Sequence, residues 1–365
     1  MSIYWNQRVK TLSPYIPGEQ PRQGGFIKLN TNENPYPPSP KVIEAIQKAA
    51  GDDLRRYPDP ACMELRSAIA HRYGVMPEQV FAGNGSDEVL AFAFAAFFES
   101  ATGKQKALPI LFPDITYSFY PVYAQLWDIP FRPVPLAADF SIIIEDYKQS
   151  AGGVVIPNPN APTGRALSRS DLVSLFRFHE QDGEGASVAL VDEAYAAFGK
   201  DLEVAPLIHE HPNLLTVHTL SKAASLAGLR VGFAIGNQEL IEGLCRVRDS
   251  FNSYTVDQLA QAGAVAAILD APYYEGVNQK VIATRNRVSA ALPALGYEVI
   301  PSQGNFICIR ALQKTGAQFF SFLREQGILV RHFDKRRIAD FLRVSIGTEE
   351  EMDRFLEVCE SYRAL

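Results

Sequence analysis

A chain of 365 residues is long enough to bury a substantial core without disulfide staples, and its length points to two domains or one large domain with an appendage. Apolar residues make up 47 % and charged residues 21 %, an ordinary globular balance, and a net charge of −6 argues against nucleic acid or an anionic membrane as the main partner. The four cysteines, Cys62, Cys245, Cys308 and Cys359, form no CxxC pair, which excludes a zinc knuckle and a dithiol redox motif and fits a reducing cytoplasm.

The N-terminal stretch from Met1 to Lys10 has no apolar segment of the kind a secretory signal needs. Residues 1–38 are rich in Pro, Gly and Asn and read as an extended arm with turns. A helix is expected after Pro40, where Val42, Ile43 and Ile46 have helical spacing. The apolar run from Val89 to Phe98 is too short to cross a bilayer. Short apolar runs at 79–82, 108–112, 153–156, 187–191, 216–220 and 230–235 read as strands separated by helices. That pattern specifies an α/β fold with a mainly parallel sheet covered on both faces, the large domain spanning 39–270. Long helices follow at 257–269 and 274–295. Strands at 298–300, 305–309, 327–330 and 341–346 and a helix at 349–362 then make a smaller α+β domain over 271–365.

Polar residues at the ends of the predicted strands carry the chemistry. Ligands of open α/β sheets bind at the carboxyl ends of strands and at helix N-termini. Gly85, Ser86 and Asp87 lie between a strand and a helix, where free N–H groups and the helix dipole suit a phosphate. Position 88 is Glu where a nicotinamide-binding loop needs a third Gly. Tyr117, beyond the next strand, is placed to stack on a flat ring. The turn Asn158-Pro159-Asn160-Ala161-Pro162-Thr163-Gly164 is stiffened by two prolines and presents Asn160 as a fixed donor.

Asp192 ends the apolar run Ala189-Leu190-Val191, where it either caps a helix or pairs with a cationic ring nitrogen; Tyr195 follows as a donor. Lys222 follows a strand in Thr219-Leu220-Ser221-Lys222, and partial desolvation there lowers its pKa and frees the amine. Thr219 and Ser221 can donate to phosphate, and Arg230 can bind it as a planar fork. A linking lysine, an acid for a ring nitrogen, donors and an anion site are what pyridoxal 5'-phosphate requires of a protein.

The order Gly-Ser-Asp, Tyr117, Asn-Pro-Asn-Ala-Pro-Thr-Gly, Asp-Glu-Ala-Tyr, Ser-Lys, Gly-Leu-Arg resembles the fold-type I pyridoxal-phosphate aminotransferases, and the resemblance runs from about residue 15 to residue 347. The resemblance implies an aspartate-aminotransferase-like fold. Within that family, the segments Pro14-Tyr15-Ile16-Pro17-Gly18, Leu29-Asn30-Thr31-Asn32-Glu33-Asn34-Pro35, Arg56-Tyr57-Pro58-Asp59 and Leu342-Arg343-Val344-Ser345-Ile346-Gly347-Thr348 are similar to those of the histidinol-phosphate aminotransferases. This implies a cytoplasmic homodimer of histidine biosynthesis that moves an amino group from histidinol phosphate to 2-oxoglutarate, giving glutamate. It further implies that Lys222 is catalytic, that Tyr57 reaches the partner subunit's cofactor phosphate, and that Arg343, Arg331, Tyr15 and Asn34 contact substrate.

Other readings stay open at this level. The same scaffold serves threonine-phosphate decarboxylation and aromatic amino-acid transamination, and related domains sense ligands in transcription regulators. A regulator needs a DNA-binding module, and the arm is short for one. His209-Glu210-His211 sits beside Pro212 with no third ligand nearby, so no metal is expected. No GxSxG elbow supports a serine hydrolase.

Overall fold

In the computed structural model, residues 3–16, 18–21, 24–102, 107–180 and 186–363 are described; Pro17 of the arm motif lies outside them. Seven strands form one sheet in the order Val80–Asn84, Val231–Gly236, Leu214–Thr219, Ala189–Asp192, Gly153–Pro157, Ile110–Pro113, Phe131–Val134. The strand Val231–Gly236 runs antiparallel to both neighbours, and the other pairings are parallel. Every residue of Gly153–Pro157, Ala189–Asp192 and Val231–Gly236 is buried, as expected of strands covered on both faces. One apolar cluster packs around Phe94, Phe112 and Tyr120, and another around Ile69, Phe176 and Ile235.

The strand Phe131–Val134 has no clear apolar run because it is an edge strand: Arg132 is exposed, and Pro133 is tolerated where a ladder bond is dispensable. Helix Gly85–Phe97 begins ahead of the expected Asp87. Gly85 makes this possible. Its φ is +76°, and a Cβ there would lie 2.6 Å from the Arg230 guanidinium.

The antiparallel strands Tyr297–Ile300, Phe306–Ala311, Leu342–Ser345 and Arg331–His332 form a second sheet, covered by helices Gly316–Glu325 and Glu349–Arg363. The expected strand at 327–330 divides: Ile328–Leu329 instead pairs in parallel with Ile27–Lys28 of the arm. Helix Ala271–Ala291 joins the two bodies. Its Tyr274 packs in a core of the large sheet, and its Val281 and Val288 pack in the small one. Among the described residues, no helix is long and apolar enough to cross a membrane.

Candidate active site

A cavity of about 110 Å³ opens where the strands of the large sheet end. Asp192 and Thr219 are the last residues of adjacent parallel strands, so the shared strand direction brings them to the same edge. Ser86 and Asp87 come from the first turn of helix Gly85–Phe97, and Tyr117, Tyr195, Ser221, Lys222 and Arg230 complete the polar lining. The walls between them are Pro157, Pro159, Ala161 and Ala194. A larger cavity, about 610 Å³ and lined by Arg72, Glu193 and His218 among others, does not include Lys222.

The Lys222 amine lies deep among protein atoms, although the residue as a whole is partly exposed. Burial lowers its pKa to about 8, assisted by the Arg343 charge. Its Nζ donates to the Thr31 carbonyl at 2.9 Å. Asp192 is buried, and burial raises its carboxyl to about 6 despite two bonds that favour the ion. Those bonds come from the Tyr120 hydroxyl at 2.7 Å and the Ala194 N–H at 3.1 Å. A cation placed against this carboxylate would restore its ionised form.

At the phosphate-like end, an Arg230 amino group pairs with Asp87 at 2.9 Å, and the Tyr117 hydroxyl donates to the same carboxylate at 2.6 Å. The Ser221 hydroxyl is buried without a hydrogen-bond partner. An unsatisfied buried donor group beside a guanidinium and a helix N-terminus suits a phosphate. The residues present therefore fit pyridoxal 5'-phosphate: an amine to link, an acid for the ring nitrogen, a phenol in Tyr195, and an anion site.

Arg331 and Arg343 are register partners on adjacent antiparallel strands. Like charges placed opposite each other repel. Among the described residues neither has a carboxylate partner. Arg343 donates to the Asn30 carbonyl at 2.7 Å and Arg331 to the Ile16 carbonyl at 3.1 Å. The Nε of Arg343 is buried without an acceptor. This is unbalanced positive charge that an anion would relieve. Beside it, the Tyr15 ring lies 4.3 Å from Phe119, which in turn lies 5.5 Å from Tyr117, an aromatic wall leading from the arm to the cavity.

A family model, aminotransferase class I and II, matches residues 25–358. Histidinol-phosphate aminotransferase 1 of Bordetella parapertussis is 54 % identical over 359 residues, covering 98 % of each chain. The histidinol-phosphate aminotransferase of Clostridium beijerinckii is 50 % identical over 357 residues, covering 98 % of this chain and 96 % of its own. The chain belongs to the histidinol-phosphate aminotransferase family.

The fold of this aminotransferase is that of the histidinol-phosphate aminotransferase from Sinorhizobium meliloti in complex with pyridoxal-5'-phosphate. The two share a TM-score of 0.87 and 23 % identity over 100 % of this chain and 98 % of that one.

Two sequence-based expectations meet a different geometry. Asn160 is fully buried and its amide is spent on the Ile115 carbonyl at 2.9 Å and the Thr163 hydroxyl at 3.1 Å. From that turn it is the apolar Pro159 and Ala161 that line the cavity. Asn34 does not line the cavity either. It donates to the Lys222 carbonyl at 3.2 Å and accepts from the Tyr36 N–H, so it props the lysine from behind. Tyr57 is 80 % exposed and stacks on Tyr254 at 4.6 Å, away from the cavity of its own chain. Sequence reasoning missed Thr31, Asn32 and Ser345, whose contacts with the site appear only once the arm is folded over it.

Proposed function

We propose that this protein transfers the amino group of histidinol phosphate to 2-oxoglutarate, with pyridoxal 5'-phosphate linked to Lys222. The observation that carries the reading is the convergence of Lys222, Asp192, Tyr195, Ser221 and Arg230 on one cavity beside the unpaired Arg331–Arg343 couple. Bound there, the cofactor supplies an electron sink for charge that develops at the substrate carbon.

The residues do the rest. Lys222, with its pKa near 8, is neutral often enough near neutral pH to take the proton from the substrate carbon at Nζ and return it. Asp192, held by Tyr120 and the Ala194 N–H, keeps a positive ring nitrogen paired. With the cofactor bound, Tyr195 would donate to its phenolic oxygen. Ser86, Thr219, Ser221, Arg230 and the N-terminus of helix Gly85–Phe97 would hold its phosphate, and Tyr117 would lie against its ring.

Arg343 binds the anionic end of either substrate, since a guanidinium fork pairs with carboxylate or phosphate alike. Arg331 adds charge for the dianionic phosphate ester, and Tyr15 adds a hydroxyl.

We further read the chain as a cytoplasmic homodimer. The exposed Tyr57–Tyr254 pair reaches the neighbouring site, so that Tyr57 of the partner subunit completes the phosphate contacts. The domains are read as 1–38, 39–270 and 271–365.

Borohydride reduction of the cofactor-loaded protein, followed by peptide mapping, should label Lys222. A label on another lysine would sink the assignment. Histidinol phosphate should outperform phenylalanine and tyrosine as amino donor. The reverse order would remove the substrate assignment while leaving the transaminase.

A further inference from the structure

Tyr195 is the hydroxyl expected to meet the cofactor's phenolic oxygen, but a phenol has one proton and two acceptor lone pairs. Which way it points depends on what else the oxygen touches. Here the neighbour is Asn32, whose Nδ2 lies 3.0 Å from the Tyr195 oxygen. Asn32 is 1 % exposed, so water does not compete for it.

The orientation of the Asn32 amide is fixed by Ser345. The Asn32 backbone N–H donates to the Ser345 oxygen at 2.8 Å, and the Ser345 hydroxyl donates to Asn32 Oδ1 at 2.9 Å. A flipped amide would take from the Ser345 proton the acceptor it has here. The Asn32 carbonyl is pinned in turn by the Asn305 amide at 2.9 Å. Asn32 itself sits at φ 55°, in the left-handed region that asparagine tolerates better than most residues. The Tyr195 ring is held edge-to-face by Phe306, with centroids 5.0 Å apart. With its ring fixed and its oxygen accepting from Asn32, Tyr195 has its proton left over for the cavity. The turn holding Asn160 supplies no substitute, because that amide is spent and Ala161 ends in a methyl.

We propose that Asn32 is a positioning residue for the reaction: by donating to the Tyr195 oxygen, it turns the Tyr195 proton toward the cofactor's phenolic oxygen. The inference rests on the reading of Tyr195 as that donor. A bond to the phenolic oxygen lowers the proton affinity of the nitrogen linking cofactor to Lys222, because it stabilises the negative oxygen that would otherwise hold that proton. The charged groups around the two residues are Arg343 and Asp192 near Tyr195, and Arg343, Glu33, Asp87 and Arg230 near Lys222; none is altered by the variants below.

The test is the pH midpoint of the visible absorption change in cofactor-loaded protein, measured for Tyr195→Phe, Asn32→Gly and the double variant. Glycine accepts φ 55° without strain, so Asn32→Gly removes the amide alone. Tyr195→Phe should raise the midpoint by about one pH unit, a tenfold change in proton affinity. Asn32→Gly should raise it by part of that in wild type and by nothing more in the Tyr195→Phe background. If Tyr195→Phe leaves the midpoint in place, the reading of Tyr195 fails. If Tyr195→Phe moves it and Asn32→Gly does not, or moves it equally in both backgrounds, the role of Asn32 is overturned. A merely structural Asn32 would change the melting temperature and leave the midpoint alone. Should Asn32→Gly fail to fold, Asn32→Asp keeps the size and the backbone preference. Its carboxylate only accepts, so it should draw the Tyr195 proton back and raise the midpoint more in wild type than in Tyr195→Phe. Equal shifts in the two backgrounds would refute the proposal.

Discussion

Replacing Lys222 by methionine should make the cofactor-free protein more stable at neutral pH. The amine has a pKa of about 8 where a free lysine has 10.5. A gap of about 2.5 pH units, at about 1.4 kcal/mol each, makes the buried ammonium cost about 3 kcal/mol below pH 8. Against this, the variant gives up the bond from Nζ to the Thr31 carbonyl, worth about 1 kcal/mol. Methionine fills a similar volume with an apolar, adaptable chain. The net gain is therefore about 2 kcal/mol, lessened further by whatever solvent enters the cavity.

The pH dependence separates this cause from generic packing. Because the folded pKa is depressed, the unfolded chain binds the proton more tightly between pH 8 and 10.5. Wild type therefore gains stability as pH rises through that window, while the variant does not. Urea unfolding at fixed protein concentration, at pH 7 and again near pH 10, measures the gap between the two proteins. It should be about 2 kcal/mol at pH 7 and close to zero or reversed near pH 10. A variant less stable than wild type at pH 7, or a gap that does not shrink, would refute the account of Lys222 as a strained, desolvated amine.

Asp192→Asn should cost turnover on the order of a hundredfold with a smaller loss of cofactor affinity, because the ionised partner matters most when charge develops; steady-state rates and cofactor titration check both. Mixed dimers with Tyr57→Phe on one chain and Lys222→Ala on the other should recover one intact site, and no recovery on mixing would count against a contribution across the interface. Arg343→Ala should slow both half-reactions by a similar factor, equivalent to about 2–3 kcal/mol, whereas Arg331→Ala should slow the histidinol-phosphate half more than the glutamate half in single-turnover measurements.

Six of the seven strands of the large sheet were legible because they are short apolar runs, whereas the edge strand Phe131–Val134 is not. Asp192 and Thr219 could be read as site residues because a polar side chain near the end of a buried strand must cap something or face a ligand. Lys222 and Arg230 were legible by their distance from those ends. A turn's sequence shows its stiffness and not which side chain it aims inward, and here Pro159 and Ala161 line the cavity while Asn160 does not. The arm was the least legible part. Its residues contact the site across separations of 163 to 313 positions, and nothing in a run of Asn and Thr announces such contacts.

The folded arm explains why that run is polar. One turn receives three separate site groups: the Asn30 carbonyl takes a bond from Arg343, the Thr31 carbonyl takes one from Lys222, and the Asn32 amide gives one to Tyr195. Two of the three are cations with no carboxylate partner among the described residues, and neutral backbone carbonyls satisfy them. A carboxylate in their place would hold the charges too well, since an ion pair in a partly desolvated site is stronger than a bond to a neutral carbonyl. A substrate anion would then have to break a salt bridge to reach Arg343, instead of displacing one neutral hydrogen bond. Glu33, the nearest acid in the arm, is kept out of this role by Lys28, which binds both its oxygens. The arm thus satisfies the site's donors while leaving its positive charge available to substrate.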